Sequence, residues 1–253
     1  MARSVFNWLW SGDEGEMPQQ KENIRLNLGC GLLTSPDWVN VDGSWNARLA
    51  KRPALRRALA SVGFLSRDKS KIPWDPNIFI HDIRKPLPFP DGSATAVYAS
   101  HVLEHLYFAQ GQQLLRESFR VLRGGGILRV VVPDLNAIVR EYLGERPFGT
   151  LAPDMESLRP GDRLNERLLM RSPAPASANL FYRTYEAWED FHSHKWMYDT
   201  DSLSELFRRT GFVEVQSMEC HASRIADIQK VEDPSRIRNG GGICIEGLRP
   251  PTQ

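Results

Sequence analysis

Apolar residues along this chain come in short runs that end abruptly and are separated by polar or helix-like stretches. Ile24 to Leu28 is the first run, and Gly29-Cys30-Gly31 cuts it off, which predicts a buried strand entering a tight turn. Val39 to Asp42 and Ile78 to Ile83 read as two more strands, each with an aspartate at or next to its carboxyl end. A fourth, Ala96 to Ser100, precedes helical sequence from about Gln110 to Leu122, where Leu115 and Phe119 share a face and Gly124 is placed to cap the end. Ile127 to Val132 is the fifth strand. Pro133 has no amide proton and stops the ladder, and helix resumes from about Leu135 to Tyr142. Asp201 to Thr210 is a short helix with Ser202 and Glu205 at capping-box spacing and Gly211 at its end. Val213 to Cys220 and Gly242 to Leu248 follow as an antiparallel pair at one edge of the sheet.

Alternating strands and helices imply an α/β domain, a doubly wound, seven-stranded, mostly parallel sheet with an antiparallel edge strand, covered by helices on both faces. Such sheets bind ligands beyond the carboxyl ends of their strands. Residues 1–23 read as an N-terminal extension and 24–253 as one domain with insertions at about 44–76 and 144–195. Prolines 147, 153, 160, 173 and 175 break the periodicity of the second insertion. Its end is aromatic, with Phe181, Tyr182, Tyr185, Trp188, Phe191, Trp196 and Tyr198 beside His192 and His194. These rings can line an acceptor pocket or pack the excursion onto the domain. In the first insertion, Arg48, Lys51, Arg52, Arg56, Arg57 and Arg67 interleave with Leu49, Leu55, Leu59 and Phe64. That pattern reads either as a helix covering the sheet with a solvated basic face or as a peripheral contact with an anionic membrane.

Composition narrows the partners. Thirty-two Lys and Arg against thirty-one Asp and Glu leave a net charge of +1, so no global field recommends nucleic acid. Cys30, Cys220 and Cys244 are an odd count in apolar runs, which reads as reduced, buried thiols in a cytoplasmic protein. Met1 to Trp10 lacks the apolar core of a signal peptide, and no run is long enough to span a membrane.

Two glycines around one residue in a strand-to-helix turn make either a simple tight turn or a place where the backbone approaches a cofactor. Asp42 ends the next strand, where a carboxylate can accept both hydroxyl hydrogens of a ribose. Asp82 ends the third and can face an adenine amino group, with Ile83 as an apolar edge. A dinucleotide site wants a third glycine at position 34, which is Thr34. The ordered runs LNLGCG, VNVD, DIRKPLPFPDGSATAVYASHVLEHL and RVLRGGGILRVVVPDL resemble the small class I, Rossmann-like methyltransferases. HKWMYDTDSLSELFRRTGFVEV is similar to that family's C-terminal helix and strand. The resemblance implies S-adenosylmethionine as cofactor and methyl transfer to a small-molecule or glycan acceptor, since bacterial relatives often serve cell-surface polysaccharide synthesis. It places Gly29 and Gly31, with Cys30 between them, at the methionine part, Asp42 at the ribose, Asp82 and Ile83 at the adenine, and Ser100 with His101 at the rim. Asn27 stands where many relatives carry an acid, and Leu33 where they carry a glycine. Asn27 can still meet the methionine amino group through its carbonyl. Other classes on this architecture are a nicotinamide-dependent oxidoreductase and a non-catalytic cofactor-binding protein.

His101-Val102-Leu103-Glu104-His105 fits H-x-x-E-H, which on a helix would present two imidazoles and a carboxylate on one face, as in an inverted zinc-protease signature. The first histidine abuts a strand end, so the favoured reading is metal-free: His101 lines the cofactor pocket while Glu104 and His105 make local polar contacts. A hydroxyl acceptor must lose a proton, and His101, His105, His192 and His194 are candidate bases. Each can equally be an ordinary hydrogen-bonded histidine.

Overall fold

The computed structural model describes residues 24–61, 72–145, 158–169, 193–237 and 241–251. The N-terminal extension with Trp8 and Trp10, Phe64 and Arg67 of the basic insertion, and the aromatic run from Phe181 to His192 lie outside the described residues. Seven strands form one sheet in the order β3-β2-β1-β4-β5-β7-β6. They are β1 (Ile24–Leu28), β2 (Val39–Asp42), β3 (Phe79–Ile80), β4 (Ala94–Ser100), β5 (Leu122–Pro133), β6 (Val213–Ser217) and β7 (Gly242–Leu248). β1 to β5 pair in parallel, while β7 runs antiparallel to both β5 and β6. The antiparallel pair does close one edge, with the reversed strand one place in from it.

The helices are α1 (Trp45–Ala50), α2 (Pro53–Ser61), α3 (Phe108–Val121), α4 (Leu135–Tyr142), α5 (Pro160–Leu168) and α6 (Thr200–Thr210). Strand alternation sorts the core into two faces. Val97 and Ala99 of β4, with Leu128, Val130 and Val132 of β5, pack under Leu114 and Leu115 of α3 and Leu203, Leu206 and Phe207 of α6. Ala96, Tyr98 and Val131 face the other way, against Trp38, Ile225, Ile228, Val231 and Ile237. The covering there is a chain segment, residues 220–237, that turns through two single 3-10 turns, Ile228–Lys230 and Pro234–Arg236. No helix forms between β1 and β2, so the expected helices on both faces are only partly realised. α2 buries none of its residues. α1 of the same insertion does reach the core, burying Ala47 and Leu49.

Several boundaries moved for local reasons. Gly124 does not cap α3, because Leu122 turns extended and leads directly into β5. The Arg249 guanidinium instead donates to the carbonyls of Arg120 (2.9 Å) and Leu122. α6 is capped by Asp199, not Ser202. Asp199 Oδ1 accepts from the Ser202 amide at 2.8 Å and Ser202 Oγ accepts from the Asp199 amide at 3.1 Å, while Glu205 pairs with Arg209 one turn on. β3 stops at Ile80 because Asp82 folds the chain into a turn, accepting from the Arg84 amide at 3.1 Å. α5 was hidden in a proline-broken stretch, yet Pro160 sits at its first turn, where a missing amide proton costs nothing. Leu164 and Leu168 pack on Ala137 and Ile138 of α4, and Arg167 reaches Glu141 at 3.1 Å.

The second face carries one charge in an apolar strand. Arg129 of β5 is fully buried, and all five of its N–H groups are engaged. Nε and Nη2 grip Glu232 at 2.7 and 2.8 Å, Nη1 meets Glu246 of β7 at 2.8 Å, and the carbonyls of Ala222 and Glu219 take the rest at 3.0 and 3.1 Å. Removing the guanidinium strands two buried carboxylates. Arg129→Ala is expected to cost about 3–5 kcal/mol, read from urea denaturation, and a loss well under that would mean the pair is replaceable by water.

Candidate functional site: the carboxyl ends of β1, β2 and β4

β1 delivers the glycine turn. Gly29 and Gly31 both sit at positive φ, +64° and +54°. A Cβ on Gly29 would lie 2.4 Å from Val102 Cγ2, whereas one on Gly31 would meet nothing within 4 Å. The first glycine is required by packing against the segment after β4, and the second leaves open space. The Gly29 and Cys30 amides donate to the Val41 carbonyl at 2.8 and 3.1 Å, tying the turn to β2. Asp42, buried at the end of β2, accepts from the Gly31 amide at 2.9 Å and the Ser44 amide at 2.7 Å. A carboxylate has about four acceptor positions, so Asp42 retains capacity for a ligand.

Other expected contacts are already partly committed. Asn27 donates to the Leu33 carbonyl at 2.9 Å and to Asn40 Oδ1 at 3.1 Å. Asn40 in turn donates to the carbonyls of Ser35 and Trp38, so the pair holds residues 33–38 in shape without a helix. The Cys30 thiol is buried among Ala47, Ile78 and Ile80. Burial, aided by the charges of Asp42 and Asp75, pushes it above the ordinary thiol range. Asp82 forms a two-bond pair with Arg84 at 2.8 Å each. Burial alone would raise its carboxyl, but the Arg84 hydrogen bonds outweigh that and hold it below the usual range. Ile83 is partly buried against the main core.

β4 delivers the histidine corner. His101 takes a left-handed backbone, φ +54°, and its amide donates to the Val131 carbonyl at 2.9 Å. H-x-x-E-H therefore does not lie on one helix: His101 ends the strand, and only Leu103–His105 form a single 3-10 turn. Glu104 is 0% exposed. Its Oε1 lies 3.0 Å from His101 Nδ1, and His101 Nε2 lies 3.3 Å from the Arg236 carbonyl. The Arg236 guanidinium donates to the Ser100 carbonyl at 3.3 Å. Residues 193–196 close over the turn. The Lys195 and Trp196 amides donate to the Glu104 carbonyl at 2.6 and 3.2 Å, His105 Nδ1 lies 3.3 Å from the Ser193 carbonyl, and the His105 and His194 rings meet edge-on at 5.1 Å. Burial holds both imidazoles below the ordinary histidine range, although Glu104 pulls the other way.

Gly29, Gly31, Asp42, Ser100 and His101 thus share one end of the sheet, and Val102 joins the glycine turn to the histidine corner. Asp82 and Ile83 follow the neighbouring strand β3. Arg236 escaped sequence reading, because no local pattern tied it to β4. The meeting of His194 with Glu104 also depends on a return of about ninety residues along the chain. Arg129 did leave a signal: a charge inside the apolar run ILRVVV must find a buried partner.

Comparison with known proteins bears on this geometry. A family model described as a methyltransferase domain matches residues 55–130. No protein of curated function matches in sequence. Among solved structures, an S-adenosylmethionine-dependent methyltransferase from Thermotoga maritima is 17% identical over 98% of this chain and 90% of its own, with a TM-score of 0.40. One from Mesorhizobium loti is 20% identical over 95% of this chain and 100% of its own, with a TM-score of 0.41. Phosphoethanolamine N-methyltransferase 2 of Haemonchus contortus, solved with S-adenosyl-L-methionine, is 12% identical over 97% of this chain and 53% of its own, with a TM-score of 0.43. Likeness at that level decides nothing about acceptor or mechanism. The sheet order and the glycine turn are those expected of a class I S-adenosylmethionine-dependent methyltransferase fold, and residues 55–130 are similar to a methyltransferase domain.

The residues present fit that cofactor. The open space at Gly31, the buried carboxylate of Asp42 beside it and the histidine corner across Val102 lie together at one end of the sheet. A pyrophosphate would want a helix N-terminus after the glycines, and residues 29–38 form turns instead.

The two glycines should respond differently to a methyl group. Gly31→Ala is expected to cost about 1–2 kcal/mol, the left-handed penalty alone, and Gly29→Ala more, because Val102 must move. Equal losses in thermal or urea unfolding would contradict the Val102 contact.

Proposed function

We propose that this chain methylates a hydroxyl group on a small-molecule or glycan acceptor. The His101–Glu104 pair at the end of β4 carries the reading. An imidazole whose Nδ1 lies 3.0 Å from a fully buried carboxylate has a charge nearby to balance a proton it accepts, and it stands one residue from the side chain that packs on the cofactor turn. S-adenosylmethionine, when bound, supplies a methyl carbon whose bonding pair to the sulfonium leaves with sulfur. Gly29, Cys30 and Gly31 would line its methionine part through the backbone, with the Asn27 carbonyl oxygen at the amino group. Asp42 would accept from the ribose hydroxyls, Asp82 and Ile83 would border the adenine, and Ser100 would close the rim. His101 takes the acceptor proton as the oxygen lone pair forms the new bond to carbon, so the acceptor leaves as a neutral ether. Much of the acceleration comes from holding the oxygen in line with the methyl group. His105 and His194 are the remaining candidate bases.

An acceptor with an amphipathic face suits the surface beside the corner. Tyr107, Phe108 and Trp196 are 61%, 39% and 45% exposed, and the Phe108 and Trp196 rings meet at a tilt of 39° with centroids 4.7 Å apart. Aromatic faces of this kind receive the apolar side of a sugar ring. The three buried free thiols favour a reducing, cytoplasmic setting. Among the described residues, no helix is long and apolar enough to cross a membrane.

Two substitutions test the assignment. Asp42→Ala should weaken S-adenosylmethionine and its demethylated product by about tenfold or more, since a charged acceptor to two hydroxyls is worth about 1.5–3 kcal/mol, while NAD shows no saturable binding in calorimetry. His101→Gln should lower kcat by about a hundredfold, a far larger effect than on cofactor affinity, to which His101 contributes only at the rim. Unaltered cofactor binding in the first variant would remove Asp42 from the ribose, and bound cofactor without turnover across hydroxyl acceptors would leave a non-catalytic binding protein.

A further inference from the structure

We infer that Glu104, His105 and His194 form a site for a divalent transition-metal cation. One ligand atom from each lies within 4.8 Å of the others, close enough for a single ion to draw them together. Glu104 has no exposure, its Oε2 meets no donor, and its Oε1 touches His101 at 3.0 Å without the alignment of a hydrogen bond. A carboxylate enclosed in this way is costly unless a positive charge accompanies it. His194 is buried too, and its Nδ1 has no hydrogen-bond partner. Two imidazoles and one carboxylate suit zinc and neighbouring first-row cations rather than calcium or magnesium, which favour oxygen cages.

The surroundings resemble the outer shell of a metal site. The Ser193 carbonyl lies 3.3 Å from His105 Nδ1, His101 leans on Glu104, and the Lys195 and Trp196 amides fix the Glu104 backbone. Such partners set the orientation of ligating side chains. Among the described residues a second cluster, Cys220, His221 and Glu232, also has ligand spacing, but both Glu232 oxygens already hold Arg129. That cluster encloses a guanidinium. Three protein ligands at Glu104 leave coordination positions open. On the reading that the acceptor is a hydroxyl, a cation there would lower that hydroxyl's pKa, with His101 left to receive the proton.

The test uses tag-free protein stripped with a chelator, titrated calorimetrically with zinc and manganese, with magnesium as comparison, and with S-adenosylmethionine in parallel. One equivalent of zinc or manganese per chain is expected, with a higher Tm. Glu104→Gln and His194→Ala should each weaken it by about tenfold or more, while His221→Ala leaves it unchanged. Retained S-adenosylmethionine binding in those variants shows that they are folded. Failure of the native chain to take up a stoichiometric ion, indifference to the Glu104 and His194 changes, or loss in His221→Ala would each overturn the site. Cation binding without methyl transfer to any hydroxyl would instead count against the acceptor reading alone.

Discussion

A guanidinium inside an apolar sheet has to be answered on every side, and the answer to Arg129 organises the second face of this protein. Glu232 and Glu246 neutralise it, and the carbonyls of residues 219 and 222 complete its donors. Together they pin the segment 219–237 across the strands where helices would otherwise lie. That segment then supplies Arg236, whose carbonyl meets His101 and whose guanidinium holds the Ser100 carbonyl. The buried charge on β5 and the histidine corner on β4 are therefore mechanically linked. Such a network is costly to break and gives a defined register to a covering that has little regular structure of its own.

The candidate site follows from strand geometry in the same way. β1, β2 and β4 are adjacent and parallel, so their carboxyl ends open on one side. The glycine turn and the His101 corner both use left-handed backbone, which lets each chain leave its strand sharply. Val102 then fills the gap that a side chain on Gly29 would occupy. The glycine turn and the histidine corner thus form one packed unit, and a change in either is felt by the other.

The absence of a helix after the glycines separates this site from a dinucleotide site more clearly than Thr34 does. Without aligned amides there is no seat for a pyrophosphate, while a sulfonium-bearing nucleoside needs only an open turn and a carboxylate. The Asn27–Asn40 pair takes over the helix's structural task by satisfying the carbonyls of residues 33, 35 and 38. An acid in place of Asn27 would lack the donors for this.

The sequence by itself determined the strands, the glycine turn and the aspartate that ends β2, because these depend on residues close together in the chain. The apolar period and the chemistry of glycine and proline act locally. It also carried the correct ranges of α4 and β7, where pattern and punctuation agree. Helix caps at Arg249 and Asp199, the early stop of β3 and the helix at Pro160 were missed, since each is settled by a partner that competes with local propensity. Only the tertiary structure decided that H-x-x-E-H is a strand end plus one turn, that Arg236 and Ser193 frame it, and that His194 returns to Glu104. Those contacts join residues about ninety to more than a hundred positions apart, and burial then sets what their ionisable groups can do, because the desolvation of a charge depends on what surrounds it in space.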